Sequence, residues 1–95
     1  MTETELLLKV KTALGISGDF HDETLQIYID SVKEFMHSSG VDEAVINSSV
    51  SVGCIIAGVN DLYNYSSGEV KFSDFTIKRI IQLSYKTAEE VADYV

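Results

Sequence analysis

The strongest constraint in this sequence is a run of apolar residues at helical spacing between positions 25 and 36. Their positions, i, i+3, i+4, i+7, i+10 and i+11, place them on one face of an α-helix. These residues are Leu25, Tyr28, Ile29, Val32, Phe35 and Met36. Asp22 and Glu23 suit the positive end of a helix dipole, and Gly40 suits the position that closes a helix. The stretch therefore predicts an amphipathic helix over residues 21–38 that must bury one face.

Three further segments show helical spacing. The chain contains no proline, and breaks containing glycine or serine separate the segments. The helices predicted from these segments cover residues 4–14, 48–65 and 74–86. Residues 66–73 are predicted to form a loop or a short hairpin, because the alternating run there is too short for an independent strand. The sequence therefore predicts an all-α fold, a small bundle of four helices in a single domain spanning residues 1–95.

The third predicted helix is expected to be the central one. Its apolar face is backed by small residues, including Gly53, Cys54 and Gly58, which would let a neighbouring backbone come close. On the fourth helix, the predicted core face starts at Ile77 and continues past the helix. Its members are Ile77, Ile80, Ile81, Ser84, Ala88, Val91 and Val95. We therefore expect this helix to reach residue 86 or beyond, or residues 87–95 to form an extended tail.

Three aliphatic residues fall outside the predicted core faces: Leu8, Ile27 and Leu83. Single exposed aliphatic residues are normal in soluble proteins. Because these three lie on separate helices of a chain without an obvious chemical site, we interpret them as candidate contacts between subunits.

Composition argues against several classes of protein. The chain has 7 basic and 15 acidic side chains and a net charge of −8, which is unsuited to gripping nucleic acid through its phosphates. One cysteine, Cys54, cannot form an internal disulfide. The N-terminus does not have the pattern of a signal peptide, and no apolar stretch is long enough to span a membrane. We expect a protein of the cytosol that neither enters a membrane nor binds nucleic acid sequence-specifically.

The tripeptide Asp30-Ser31-Val32 resembles the attachment site of acyl carrier proteins, whose serine carries a phosphopantetheine arm. In that family the modified serine stands at the start of a helix, whereas here the helical repeat begins six residues earlier and continues past Ser31. The pattern favours a serine at the edge of an amphipathic helix. A carrier protein modified at Ser31 is the first alternative interpretation.

No arrangement of residues indicates a metal or cofactor site. His21 and His37 lack clustered metal-ligand spacing, and Cys54 lies among small residues where a packed, inert thiol is expected. There is no glycine-rich phosphate-binding motif. We predict no catalytic residues, no metal and no cofactor.

The order of motifs along the chain resembles that of the head-to-tail connector proteins of long-tailed bacteriophages and prophages. These proteins are also called adaptor or head completion proteins, and are often labelled DNA-packaging proteins. The matching stretches are LKVKTALGI at residues 8–16, DETL at 22–25, YIDSVKEFM at 28–36, SGV at 39–41 and LYNY at 62–65. After Tyr65 the chain departs from the family pattern, with Ser66-Ser67-Gly68 where many relatives have an Asn-Pro or Asn-Arg-Glu step.

The resemblance implies a structural role without catalysis. It implies a small helical subunit that forms a ring, dodecameric in the virion, beneath the portal protein once DNA is packaged. The ring would offer a platform to the stopper or tail proteins. The protein would then belong to the virion neck and, during assembly, to the cytoplasm of the bacterial host. The second alternative is an acidic regulatory or DNA-mimic protein.

Within this interpretation two groups of residues are candidate sites. Leu8 and Ile27 are expected to contribute to contacts between subunits, because a rotational ring needs two different contact patches on each subunit. The C-terminal segment is expected to dock on the portal. Its candidate docking residues are Tyr85, Val91, Tyr94 and Val95.

Overall fold

A computed structural model describes residues 1–64 and 72–94 of the chain, and over these residues the fold contains helices and no strand. The five α-helices are α1 (Glu3–Leu14), α2 (Asp22–Ser38), α3 (Glu43–Ile46), α4 (Val52–Tyr63) and α5 (Asp74–Ser84). Two 3₁₀ turns cover Ser49–Ser51 and Ala92–Tyr94. The predicted all-α bundle is therefore confirmed, and its four long helices are α1, α2, α4 and α5.

The first helix begins and ends where its sequence signals lie. The Thr2 hydroxyl accepts a hydrogen bond of 3.1 Å from the Glu5 backbone N–H, which satisfies a free donor of the first turn. Gly15 follows the last helical residue with a φ of 70°, a left-handed conformation that glycine adopts without steric cost. Its N–H donates to the carbonyls of Lys11 and Thr12.

The segment between α2 and α4 is more ordered than the predicted connection. Asp42 caps the short helix α3 by accepting a hydrogen bond of 3.0 Å from the Ala44 N–H. The Ser48 and Ser51 side chains are buried, and each donates its hydroxyl to a backbone carbonyl in the same segment. These bonds hold a tight turn, so the third long helix begins at Val52 rather than at residue 48.

Helix α4 lies at the centre of the bundle and packs against α1, α2 and α5. Its buried residues include the small ones, Cys54 and Gly58, together with Ile55 and Val59. The core is completed by apolar residues from the other elements. They are Leu6, Val10, Leu25, Ile29, Val32, Met36, Val41, Val45, Ile46, Ile80, Leu83 and Val91.

Gly58 sets the distance between α2 and α4. A Cβ atom at this position would lie 2.8 and 2.9 Å from the two methyl carbons of Val32, closer than such atoms pack. The two helices therefore approach this closely only because position 58 has no side chain. Gly53, one and a half turns earlier on α4, is exposed and would have no neighbour within 4 Å of an added Cβ.

Phe35, which was assigned to the core from its spacing, lies at the edge of the core, and so does Tyr63. Phe35 is 40% exposed and packs its ring against Phe72, with the ring centroids 4.8 Å apart. Tyr63, near the end of α4, is 38% exposed. Both side chains cover the core from outside, and neither is enclosed by it.

Helix α5 presents a different face to the core from the one predicted. Thr76, Ile80 and Leu83 are buried, so the interpretation of Leu83 as a surface residue is wrong. Ile77 and Ile81, predicted to be core, are 40% and 51% exposed.

A polar contact with α4 explains why α5 is rotated about its axis relative to the prediction, so that Thr76 faces the core and Ile77 and Ile81 do not. The Asp61 carboxylate accepts hydrogen bonds from the Thr76 hydroxyl at 2.7 Å and from the Ser73 N–H at 2.9 Å. Thr76 is fully buried, so its hydroxyl requires such a partner.

The chain turns after α5 instead of continuing as a helix. Tyr85 caps the helix, and the 3₁₀ turn Ala92–Tyr94 closes the segment, so the expected extension of the helix beyond residue 86 is absent from residues 85–94. Val91 nevertheless returns to the core with 3% exposure. The predicted loop or hairpin at residues 66–73 lies mostly outside the described residues.

We expect Gly58→Ala to lower the free energy of unfolding by about 1–3 kcal/mol, because the added methyl group overpacks the contact with Val32. Gly53→Ala is the matched control, and it should be neutral or stabilising by up to about 1 kcal/mol, because alanine favours the helical backbone. Urea unfolding followed by circular dichroism measures both. Equal effects at the two positions would contradict the close packing of α2 on α4.

Candidate assembly surfaces

Polar contacts fix α1 against α2 and so orient their outer faces. Lys11 Nζ lies 2.7 Å from Asp22 Oδ1, and Lys33 forms an ion pair with Glu3. Gln26 donates a further hydrogen bond of 2.8 Å to Glu3. The hydrogen bond from Lys33, supported by that from Gln26, holds the pKa of Glu3 below its usual value against the opposing effect of partial burial. These contacts span the two helices at both ends of α1.

The two residues predicted to contact other subunits both point away from the core. Leu8 on α1 is 65% exposed and lines a shallow groove of about 510 Å³ together with Glu5, Lys9 and Thr12. Ile27 on α2 is 57% exposed. Both side chains are accessible to a neighbouring molecule.

The candidate docking residues of the C-terminal segment have different environments. Tyr85 is 79% exposed and Tyr94 is 53% exposed. Val91 lies in the core, so its side chain is not accessible in this conformation. Val95 lies outside the described residues. The two tyrosines are therefore the members of this group that offer a surface.

The sequence interpretation missed several exposed apolar residues. Phe20, in the connection between α1 and α2, is 90% exposed. Its ring meets that of His21 edge-on at 5.0 Å, and His21 in turn meets Tyr63 at 6.0 Å. An aromatic residue in a break between two predicted helices was a usable signal of exposure. Nothing in the sequence indicated that Ile77 and Ile81 are exposed, because both fit the apolar face of a helix.

Ser31 and Cys54, the serine weighed as an attachment site and the single cysteine, both have structural roles. The Ser31 hydroxyl donates a hydrogen bond of 2.9 Å to the Ile27 carbonyl one turn earlier, in the middle of α2. Cys54 is fully buried, and burial raises the pKa of its thiol to about 11. At neutral pH this thiol is protonated and enclosed, which makes it a packing residue rather than a nucleophile.

The described part of the chain holds neither a clustered metal site nor a membrane-spanning helix. Within residues 1–64 and 72–94, no group of three or more His, Cys, Asp or Glu side chains is arranged to hold a metal ion. In the same ranges, no helix has both the length and the apolar character needed to cross a membrane.

The fold and its surface define a small helical protein that offers exposed apolar side chains on several helices, as assembly proteins do. Residues 4–91 match the model of the phage gp6-like head-tail connector protein family. Because this match covers nearly the whole chain, the chain belongs to that family, and the resemblance noted in its sequence is confirmed. No curated protein and no solved structure matched the chain significantly. The family is one of structural phage proteins that act at the junction of head and tail.

We predict that Cys54 in the folded protein does not react with a thiol reagent such as dithionitrobenzoate at pH 8, because its thiol is buried and its pKa lies near 11. In concentrated guanidinium chloride the same cysteine should react fully. The variant Ile81→Cys, with a thiol at an exposed position, is the positive control. Rapid labelling of native wild-type protein would contradict the assigned burial.

We predict that coexpression with a phosphopantetheinyl transferase leaves the intact mass of the protein unchanged. Ser31 lies inside a regular helix and its hydroxyl is engaged by the Ile27 carbonyl, so a transferase cannot take it up as a loop-exposed serine. An acyl carrier protein expressed in the same cells is the control. A mass increase that disappears in Ser31→Ala would establish the carrier interpretation.

Proposed function

We propose that this protein forms a ring between the phage portal and the tail or stopper proteins and completes the head after DNA packaging. Membership of the head-tail connector family is the observation that carries the proposal. A dodecameric ring in the virion neck is the assembly we propose. Its subunits would be made in the host cytoplasm and join the portal there.

The exposed apolar residues support assembly through repeated contacts. In a rotational ring each subunit joins the next through two different patches, one on each side. Leu8 and Ile27 lie on outer faces of α1 and α2 and are more than half exposed, which suits them to such patches.

The charge of the chain supports a position around the DNA path. With 15 acidic and 7 basic side chains, a ring of these subunits would repel phosphate groups rather than bind them. DNA could then pass through the ring without being held. No sequence-specific contact with nucleic acid is proposed.

The C-terminal segment is proposed to dock on the portal through Tyr85 and Tyr94. Exposed tyrosines are common in protein interfaces because each offers a large apolar ring with a polar tip. Val91 has a different role in this proposal, since its burial holds the segment on the core and so positions Tyr94. Val95, at the end of the same segment, remains part of the proposed docking surface.

We expect the double variant Tyr85→Ser/Tyr94→Ser to bind the cognate portal protein at least about tenfold more weakly than the wild type, because aromatic residues dominate most interfaces. Surface plasmon resonance with immobilised portal measures the affinity. Phe20→Ser is the control, since it removes an aromatic ring that is 90% exposed in a different part of the fold.

Unchanged affinity of the double variant would contradict docking through these tyrosines. No binding of the wild-type protein to the cognate portal, at any concentration tested, would contradict the connector ring itself.

A further inference from the structure

Helix α5 carries an apolar stripe that the core does not use. Ile77 and Ile81 are 40% and 51% exposed, and Tyr85, one turn further, extends the line at 79%. The spacing of four residues places the three side chains along one edge of the helix. Lys78 is exposed and lies beside Ile81, three residues before it on the helix. We call Ile77, Lys78 and Ile81 the α5 surface.

The α5 surface belongs to the most basic part of an acidic chain. Three of the seven basic residues, Lys78, Arg79 and Lys86, lie on α5 or in the turn after it. Over residues 72–86 the only carboxylate side chain is Asp74, in the first turn of the helix. Of these three, Lys78 lies beside the exposed isoleucines, whereas Arg79 and Lys86 line a separate pocket together with Glu90.

Helix α2 has the opposite character around its own exposed isoleucine. Ile27 lies between Glu23, one turn before it, and Asp30, one turn after it, and Glu34 follows at the next turn. All three carboxylates are exposed, and none of them forms an ion pair with a residue in the described ranges. We call Glu23, Ile27 and Glu34 the α2 surface.

Within residues 1–64 and 72–94, one lysine on α1 and one on α2 are already engaged in ion pairs. Lys33 of α2 pairs with Glu3, and Lys11 of α1 pairs with Asp22. The α2 surface is therefore an apolar centre with unbalanced negative charge, which a partner with an apolar centre and positive charge would complement.

We propose that the α5 surface of one subunit packs on the α2 surface of the next subunit. The proposal rests on the proposed ring and names the two patches that its repeated contact joins. Ile77 and Ile81 would cover Ile27, and Lys78 would lie beside the carboxylate of Glu34.

Charge selects this pairing over the symmetric ones. Two α2 surfaces placed together would bring like-charged carboxylates into contact, and two α5 surfaces would oppose their lysines. Pairing of α5 with α2 joins opposite charges. It is a head-to-tail contact, the type from which a closed ring is built.

The size of the two surfaces also explains why a ring would need the portal. A stable interface buries about 800 Å² on each partner, whereas these surfaces offer few apolar side chains on a chain with 5900 Å² of accessible area. A single contact is therefore weak. Subunits held on a portal would be at high effective concentration, so that many weak contacts form together.

Cysteine cross-linking of full-length protein bound to the cognate portal tests the contact. The double variant Ile27→Cys/Ile81→Cys should give a ladder of disulfide-linked oligomers on mild oxidation, because each subunit links to the next. A mixture of the two single variants should give dimers only. Wild-type protein, whose Cys54 is buried, and Phe20→Cys/Ile81→Cys, which carries one thiol at an exposed position outside the proposed contact, are the controls and should give no ladder.

The outcomes separate the contact from the ring. A portal-bound oligomer that gives no link between positions 27 and 81 would overturn the α2–α5 contact and leave the ring intact. Dimers from Ile81→Cys alone would overturn it in favour of a symmetric contact. Failure of wild-type protein to form any oligomer on the portal would overturn the ring, and the contact with it.

Charge reversal at two exposed residues, where substitutions change stability little, provides an independent test. Lys78→Glu and Glu34→Lys should each weaken assembly on the portal by about two- to fivefold per contact, as exposed ion pairs do. Mixing the two variants, or combining both changes in one chain, should restore assembly toward the wild-type level. If the double variant instead lost assembly by the sum of the two single effects, the pairing of Lys78 with Glu34 would be contradicted.

Discussion

The close approach of α2 to α4 at Gly58 is the constraint on which the rest of the structure depends. Without a side chain at this position, the Val32 methyl groups pack directly on the backbone of the central helix. That contact fixes which face of α2 is buried, and the ion pairs from Lys11 and Lys33 then fix α1 beside it. The exposure of Ile27 follows from the same contact, because Ile27 lies on the side of α2 opposite to Val32.

The amphipathic helices were predictable to the extent that each had a single apolar face. On α2 the predicted face contains Leu25, Ile29, Val32 and Met36, all fully buried in the structure. On α5 apolar residues occur around much of the helix, so spacing could not select the buried side. That selection depends on Thr76, whose burial requires the Asp61 carboxylate fifteen residues earlier in the chain. A tertiary hydrogen bond of this kind leaves no periodic signal in the sequence.

The candidate surfaces were predictable only in part for the same reason. Leu8 and Ile27 were found because they break a clear helical pattern. Ile77 and Ile81 were assigned to the core, and their true position supplies a second patch with the charge opposite to that around Ile27. Val91 was expected on the core face and also as a docking residue; it is buried because the chain turns back after Tyr85, which agrees with the first expectation and makes its side chain inaccessible for the second. The family, by contrast, could be recognised from the order of motifs, since that order is independent of how α5 is rotated.

A cryo-electron microscopy reconstruction of the protein bound to its cognate portal tests the central claim most directly. We expect a closed ring beneath the portal in which α5 of each subunit lies against α2 of the next, with Ile81 near Ile27 and Lys78 near Glu34. Portal particles without ring density would contradict the connector function. A ring whose neighbouring subunits meet through other helices would contradict the role of the α2 and α5 surfaces.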